Sequence, residues 1–181
     1  MLKLSFLNVF FSIFLVPLMM QCEDGRDNPC ENYTNDVYEE NLCQLLPAKL
    51  TYNQGETVNF KFSVKSKLSA NGKQLDIFKE TQINSGFLFI NLTELFKDNT
   101  VSFIKGEKIE DNRFKGVYDP ISDSYDLEIQ IKLNRSGIYS FDSTANFQDR
   151  MHDDGNCSYI ALTTNIKGNN LDDGRTEFVV N

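Results

Sequence analysis

YDLEIQIKLNRSGIYSFDSTANF, Tyr125 to Phe147, reads as strands interrupted by a turn. Leu127, Ile129, Ile131 and Leu133 take every second position, with Glu128, Gln130 and Lys132 between them. An extended chain with that spacing shows one apolar face and one wetted face. Asn134, Arg135, Ser136 and Gly137 then break the alternation with turn chemistry, and Ile138, Tyr139, Ser140 and Phe141 resume it. A period of two residues makes this a half-buried strand and points to an all-β domain.

The same pattern recurs upstream, where Val58, Phe60, Phe62 and Val64 alternate with Asn59, Lys61 and Ser63. Further strands are expected over Leu45 to Tyr52, Gln74 to Ile83, Val101 to Ile104, Arg113 to Tyr118, Cys157 to Ile166 and Thr176 to Val180. Phe87 to Leu92 is nearly continuously apolar and reads as a central strand buried on both faces. Thr93 to Asp98 suits a short helical turn. Lys67 to Lys73, the charged stretch Lys105 to Asn112, Gln148 to Asn156 and Lys167 to Gly174 read as loops. Segments at intervals of about 8 to 12 residues with turns between them indicate a sandwich rather than alternating α and β units.

Leu133, Gly137 and Tyr139, in the order Leu, three residues, Gly, one residue, Tyr, resemble the corner between strands E and F of immunoglobulin-like sandwiches, where a tyrosine hydroxyl bonds back to upstream backbone. An ordinary hairpin with a glycine turn uses the same residues. Phe141 stands where an antibody domain places its second core cysteine, and the chain has no Trp, so the resemblance is not to antibody domains proper. NQGETVNFKFSV, Asn53 to Val64, resembles the first hairpin of bacterial immunoglobulin-like domains. The resemblance implies an antiparallel immunoglobulin-like β-sandwich of about seven to nine strands over residues 45–181.

The start of the chain has one early cation, Lys3, followed by LSFLNVFFSIFLVPLMM, a run interrupted only by Ser5, Asn8, Ser12 and Pro17. Residues 1–21 read as an export signal, too short in their uninterrupted apolar part to favour a spanning helix. Cys22 directly follows, which resembles a bacterial lipoprotein signal in which that cysteine is acylated and becomes the mature N-terminus. Met19, Met20 and Gln21 depart from the small residues usual before such a cysteine. The trailing Glu23, Asp24, Gly25, Arg26 and Asp27 resemble the acidic export tag of surface-exposed lipoproteins of the Bacteroidota type. Plain secretion, with Cys22 in a disulfide, is the other reading. Residues 22–44 are polar, acidic and rich in Asn, and read as a tether.

Lys3 is the only charge before Cys22, so removing the leader leaves 17 cations against 26 acids over 160 residues. That balance disfavours nucleic acid, whose phosphates need clustered Lys and Arg. A single domain of this size buries enough surface to fold without metals or disulfides. Beyond Cys22 the cysteines are Cys30, Cys43 and Cys157. An oxidising compartment makes one disulfide the expectation. Cys43 with Cys157 is slightly preferred over Cys30 with Cys43, and the sequence leaves the pairing open.

The loop Asp149 to Gly155 holds the only histidine, His152, among acids. Calcium would suit such oxygens, but the alternating acidic spacing of a calcium loop is missing. Asp-Asp-Gly recurs at Asp172, Asp173 and Gly174, which is turn chemistry, so no metal site is assigned. No nucleophile elbow or cofactor motif accompanies His152. Carboxylate pairs such as Glu107 and Glu110 could serve a hydrolase, although exposed solvation is their default. Asn32, Asn91, Asn134 and Asn156 each open an Asn-x-Ser/Thr triplet, which an Asn-rich chain produces by chance. The expectation is therefore a small lipid-anchored, non-catalytic protein of the cell envelope, held at the outer membrane and facing surface proteins or glycans, without cofactor, metal or nucleic acid. The alternatives are a secreted carboxylate-dependent hydrolase of envelope or host polymers, and a freely secreted disulfide-bonded binding protein.

Overall fold

A computed structural model describes residues 34–70, 73–149, 159–168 and 174–181. The chain is all-β. In order, the elements are β1 (Thr34–Tyr38), β2 (Cys43–Leu46), β3 (Thr51–Tyr52), β4 (Thr57–Lys65), β5 (Lys67–Ala70), β6 (Lys73–Asp76), α1 (Ile77–Thr81), β7 (Ser85–Phe89) and α2 (Thr93–Phe96). They continue as β8 (Thr100–Lys105), β9 (Glu107–Glu110), β10 (Arg113–Asp119), β11 (Ser124–Lys132), β12 (Gly137–Asp142), β13 (Thr144–Gln148), β14 (Tyr159–Lys167) and β15 (Arg175–Val180).

The two alternating segments pair with each other. β4 and β11 run antiparallel in unbroken register from Lys65 opposite Ser124 to Thr57 opposite Lys132. Phe62 therefore faces Leu127, Phe60 faces Ile129 and Val58 faces Ile131, all buried. On the opposite face Lys61 meets Glu128 at 2.9 Å. Cross-strand apolar pairs of this kind are the stabilising unit of a sheet.

The larger sheet differs from two open facing layers. Its strands follow the order β11, β4, β2, β14, β13, β7, β10, and β10 pairs again with β11, so seven strands close into a barrel. The closing seam is short, with Val117, Tyr118 and Asp119 opposite Asp126, Tyr125 and Ser124. Beyond it the two strands part. β8 then pairs with β11, and β9 with β10, filling the gap. Gly106 sits at the fork with φ +84°, and a Cβ there would run into the Lys115 carbonyl and the Leu127 side chain. Only glycine combines that conformation with that approach.

Side chains occupy the barrel interior, as expected for a barrel of about this strand number, with Phe60, Phe62, Leu88, Phe114, Tyr125, Leu127 and Phe147 among those buried. Phe147 lies 5.1 Å from Phe62 and 5.5 Å from Tyr125 between ring centroids. Gly86 leaves the room Phe147 needs, because any Cβ at that position would overlap its ring.

A second sheet has the order β12, β15, β3, with β15 and β3 parallel. It joins the same core through Tyr52, Tyr139, Phe141 and Phe178. Tyr139 stacks on Phe178 at 5.1 Å and 12°, and its hydroxyl donates to the Arg135 carbonyl at 2.9 Å. The hydroxyl thus bonds to backbone four residues upstream, where the chain leaves the barrel for the second sheet.

Several boundaries differ from expectation. β1 pairs in parallel with β14, Thr34 to Tyr38 opposite Tyr159 to Thr163, and β2 continues along the same strand. The last part of the span read as tether therefore belongs to the sheet. Gln74 to Ile83, read as a strand, turns into α1 after Asp76, whose carboxylate caps the Lys79 amide at 3.1 Å and accepts from Ser66 at 2.9 Å. A capping carboxylate starts a helix that hydrophobic spacing does not reveal. Lys67 to Lys73 and Lys105 to Asn112, read as loops, contain β5 and β9. β9 is wholly exposed, so no apolar period marks it.

Candidate functional site

β7 positions the most unusual side chains. Gly86 and Leu88 point into the barrel, so Phe87 and Phe89 point out. Both rings are part-exposed, and neither belongs to the buried core nor packs against it. Their neighbours follow from register. Phe89 lies between Asn146 of β13 and Arg113 of β10, and Phe87 between Gln148 and Lys115. One strand further, Arg113 faces Glu110 and Lys115 faces Glu107. The outer wall therefore carries two parallel rows, Asn146–Phe89–Arg113–Glu110 and Gln148–Phe87–Lys115–Glu107.

Each cation in these rows is neutralised by its neighbour. Arg113 meets Glu110 at 2.6 Å and Lys115 meets Glu107 at 3.1 Å. The Arg113 guanidinium also lies 5.8 Å from the Phe87 ring centroid, within the range of a cation–π contact. The Asn146 Oδ1 accepts from the Thr163 hydroxyl at 2.9 Å. Among the described residues, no partner is made by the Asn146 amide nitrogen or by the Gln148 amide. Among the described residues the wall thus offers two aromatic rings, amide groups without a partner and balanced charges.

The fork holds a separate polar cluster. Lys105 Nζ lies 2.7 Å from Asp126 and 2.9 Å from Asp119. Asp126 also accepts from the Ser63 hydroxyl at 2.6 Å and the Ser124 hydroxyl at 3.1 Å. Hydrogen bonds to Asp126 and Asp119 hold the Lys105 ammonium above the ordinary lysine pKa, and the Lys105 hydrogen bond holds Asp119 below the ordinary carboxylate value. A general acid needs a carboxyl pushed up, and a lysine base needs an amine pushed down. Both shifts run the other way, as expected of a clamp across β8, β10 and β11.

The residues singled out in the sequence are distributed as follows. Glu107 and Glu110 do not form a carboxylate pair, since each sits on its own cation in the wall. Cys43 is a free thiol on β2, fully buried, and burial pushes its pKa up. Cys22, Cys30, Cys157, His152, Asn32 and Asn156 lie outside the described residues, as does most of the loop Gln148 to Asn156. Among the described residues no three His, Cys, Asp or Glu side chains converge as a metal site would require, and no helix is long and apolar enough to cross a membrane.

Phe87 and Phe89 were hidden within a run read as buried on both faces. Gly86 carries no side chain to signal its direction; that it faces inward follows from the Phe147 ring that occupies the space beside it. No family model, curated protein or solved structure matches this chain. The class that the fold and the wall define is an all-β protein with a filled barrel and an aromatic outer face.

Proposed function

We propose that this is a lipid-anchored, non-catalytic module of the cell envelope that binds a partner through the outer wall of its barrel. One observation carries the binding role: Phe87 and Phe89 are turned outward from a barrel whose interior is already filled with side chains. A filled interior leaves the exterior as the place to meet a partner, and part-exposed aromatics beside polar groups are what binding surfaces use. The anchor rests on Cys22 behind the apolar run of residues 4–20, and acylation by more than one chain makes such anchoring stable.

The test is intact mass and detergent partitioning of the full-length product beside Cys22→Ala. Wild type is expected to begin at an acylated Cys22 and enter the detergent phase, while Cys22→Ala stays in the aqueous phase. An un-acylated, water-soluble wild type would sink the anchor.

We also infer kinship with immunoglobulin-like sandwiches. The order β2, β4, β11, β8 in the larger sheet matches the A-B-E-D order of such domains if β2 is strand A. On the same correspondence β12 and β15 are strands F and G of the second sheet, with the Tyr139 corner between E and F. Closure of the barrel is then an addition contributed by β7, β10, β13 and β14.

The disulfide follows the same reading. With Cys43 buried as a free thiol, Cys30 and Cys157 are left to pair, and they precede by four and two residues the parallel, registered strands β1 and β14. Mass after alkylation without reduction should show these two thiols blocked. Labelling of either one in the native exported protein would refute the pairing.

A further inference from the structure

We propose that the wall formed by β13, β7 and β10 binds an uncharged glycan, with Phe87 and Phe89 as the stacking platform. This rests on the reading of the barrel as a binding module and names its partner's chemistry. A pyranose ring has an apolar face of C–H groups and an edge of hydroxyls. It needs an aromatic plane to lie on and amide groups around it. Phe87 and Phe89 are two residues apart on one strand face, about 7 Å between Cα atoms, so both rings lie on the same side of the wall. Gln148 and Asn146 border them on the β13 side, with the Gln148 amide and the Asn146 nitrogen unengaged by any described residue.

Charge separates this partner from others. Arg113 and Lys115 are compensated in place by Glu110 and Glu107, so the wall has no surplus cation for an anionic polymer. A protein interface would place its charge at the rim and a broader apolar centre between. Among the described residues two rings, with exposed Val117 and Ile109 toward β9 and the end of β10, stand among amides, hydroxyls and closed ion pairs, and cations lie directly beside the rings. That composition matches a polyhydroxylated ring better than an apolar protein surface.

The test is affinity electrophoresis of the full chain in gels containing an uncharged polysaccharide (a β-glucan, a mannan or a xylan) or an anionic one (polygalacturonate or heparin). Wild type is compared with Phe87→Ser, Phe89→Ser and Gln148→Ala, and with Ile138→Ser, an exposed position on the second sheet, as control. At least one uncharged polysaccharide should retard wild type. Each phenylalanine variant should weaken that binding roughly tenfold or more, as removal of a central aromatic contact does, and Gln148→Ala severalfold. Thermal midpoints should fall by at most a few degrees, because none of these side chains is in the core, and Ile138→Ser should bind normally. Gln148→Ala keeps the question open to test should a phenylalanine variant misfold.

Retardation by anionic polymers alone, or equal binding by wild type and the wall variants, overturns the glycan. A wall-dependent dimer in light scattering also overturns it in favour of a second copy. Wall-dependent retention on washed envelopes that protease treatment abolishes overturns it in favour of a protein, and the binding-module reading then survives. If wall variants change neither glycan binding, nor self-association, nor envelope retention, both readings fall together.

Discussion

Tyr139 shows how much one hydroxyl can organise. Its ring is buried against Phe178, the Arg135 guanidinium lies 5.0 Å from its centroid, and its oxygen lies within hydrogen-bond reach of the Asn99 side chain while donating to the Arg135 carbonyl. Tyr139→Phe keeps the stack and removes the bonds, leaving the part-buried Arg135 carbonyl and Asn99 amide to find other partners. The expected loss is about 1–2 kcal/mol, seen in urea unfolding as a lower midpoint with an unchanged slope. Lys105 is a residue-scale device of another kind. Asp119 is held below the ordinary carboxylate pKa, so its contribution is complete above about pH 4 and disappears as pH falls through the lowered value. Lys105 is held above the ordinary lysine pKa, so its contribution is complete below about pH 10 and disappears as pH rises through the raised value. Lys105→Met should therefore flatten both the acid and the alkaline limbs of stability against pH. A profile with unchanged limbs would mean that the clamp contributes nothing.

Among the elements, the fork at Gly106 decides whether β8 and β9 can lie in the gap between β10 and β11. Gly106→Ala meets both a positive φ and the Lys115 carbonyl, so it should cost roughly 1–3 kcal/mol and lower the melting temperature by several degrees. Hydrogen exchange should locate the loss in β8 and β9, with β4 unaffected. The same elements show what could be read in advance. β4 and β11 were legible because one buried face imposes strict alternation, and the Tyr139 corner because its bond is local. The barrel closure was not, because it rests on three backbone pairs at Val117 to Asp119, and nothing in the spacing of Tyr118 or Asp119 says that they meet Tyr125 and Ser124 rather than solvent. β9 was invisible for a related reason: an edge strand exposed on all its residues has no face to hide. Its charges guard an open edge and at the same time neutralise the wall. Of the wall itself, Phe87 and Phe89 were evident as residues but not as outward-facing ones, since direction depends on which strands flank β7.

For the whole molecule, the two sheets share a single apolar cluster that runs from Phe62 and Phe147 in the barrel to Tyr139 and Phe178 in the second sheet. The chain should therefore unfold in one step. It has no Trp and seven Tyr, so tyrosine fluorescence and far-ultraviolet circular dichroism should give coincident transitions. Transitions that do not coincide would show that the two sheets do not unfold as one unit. The first strand of the fold also sets a height. β1 begins at Thr34, only a dozen residues after Cys22, and that length of chain fully stretched spans at most about 40 Å. If Cys22 is acylated, the barrel rides on a short leash. It sweeps a shallow layer directly above the bilayer, and a partner standing further out must bend down to it, whatever the affinity of the wall.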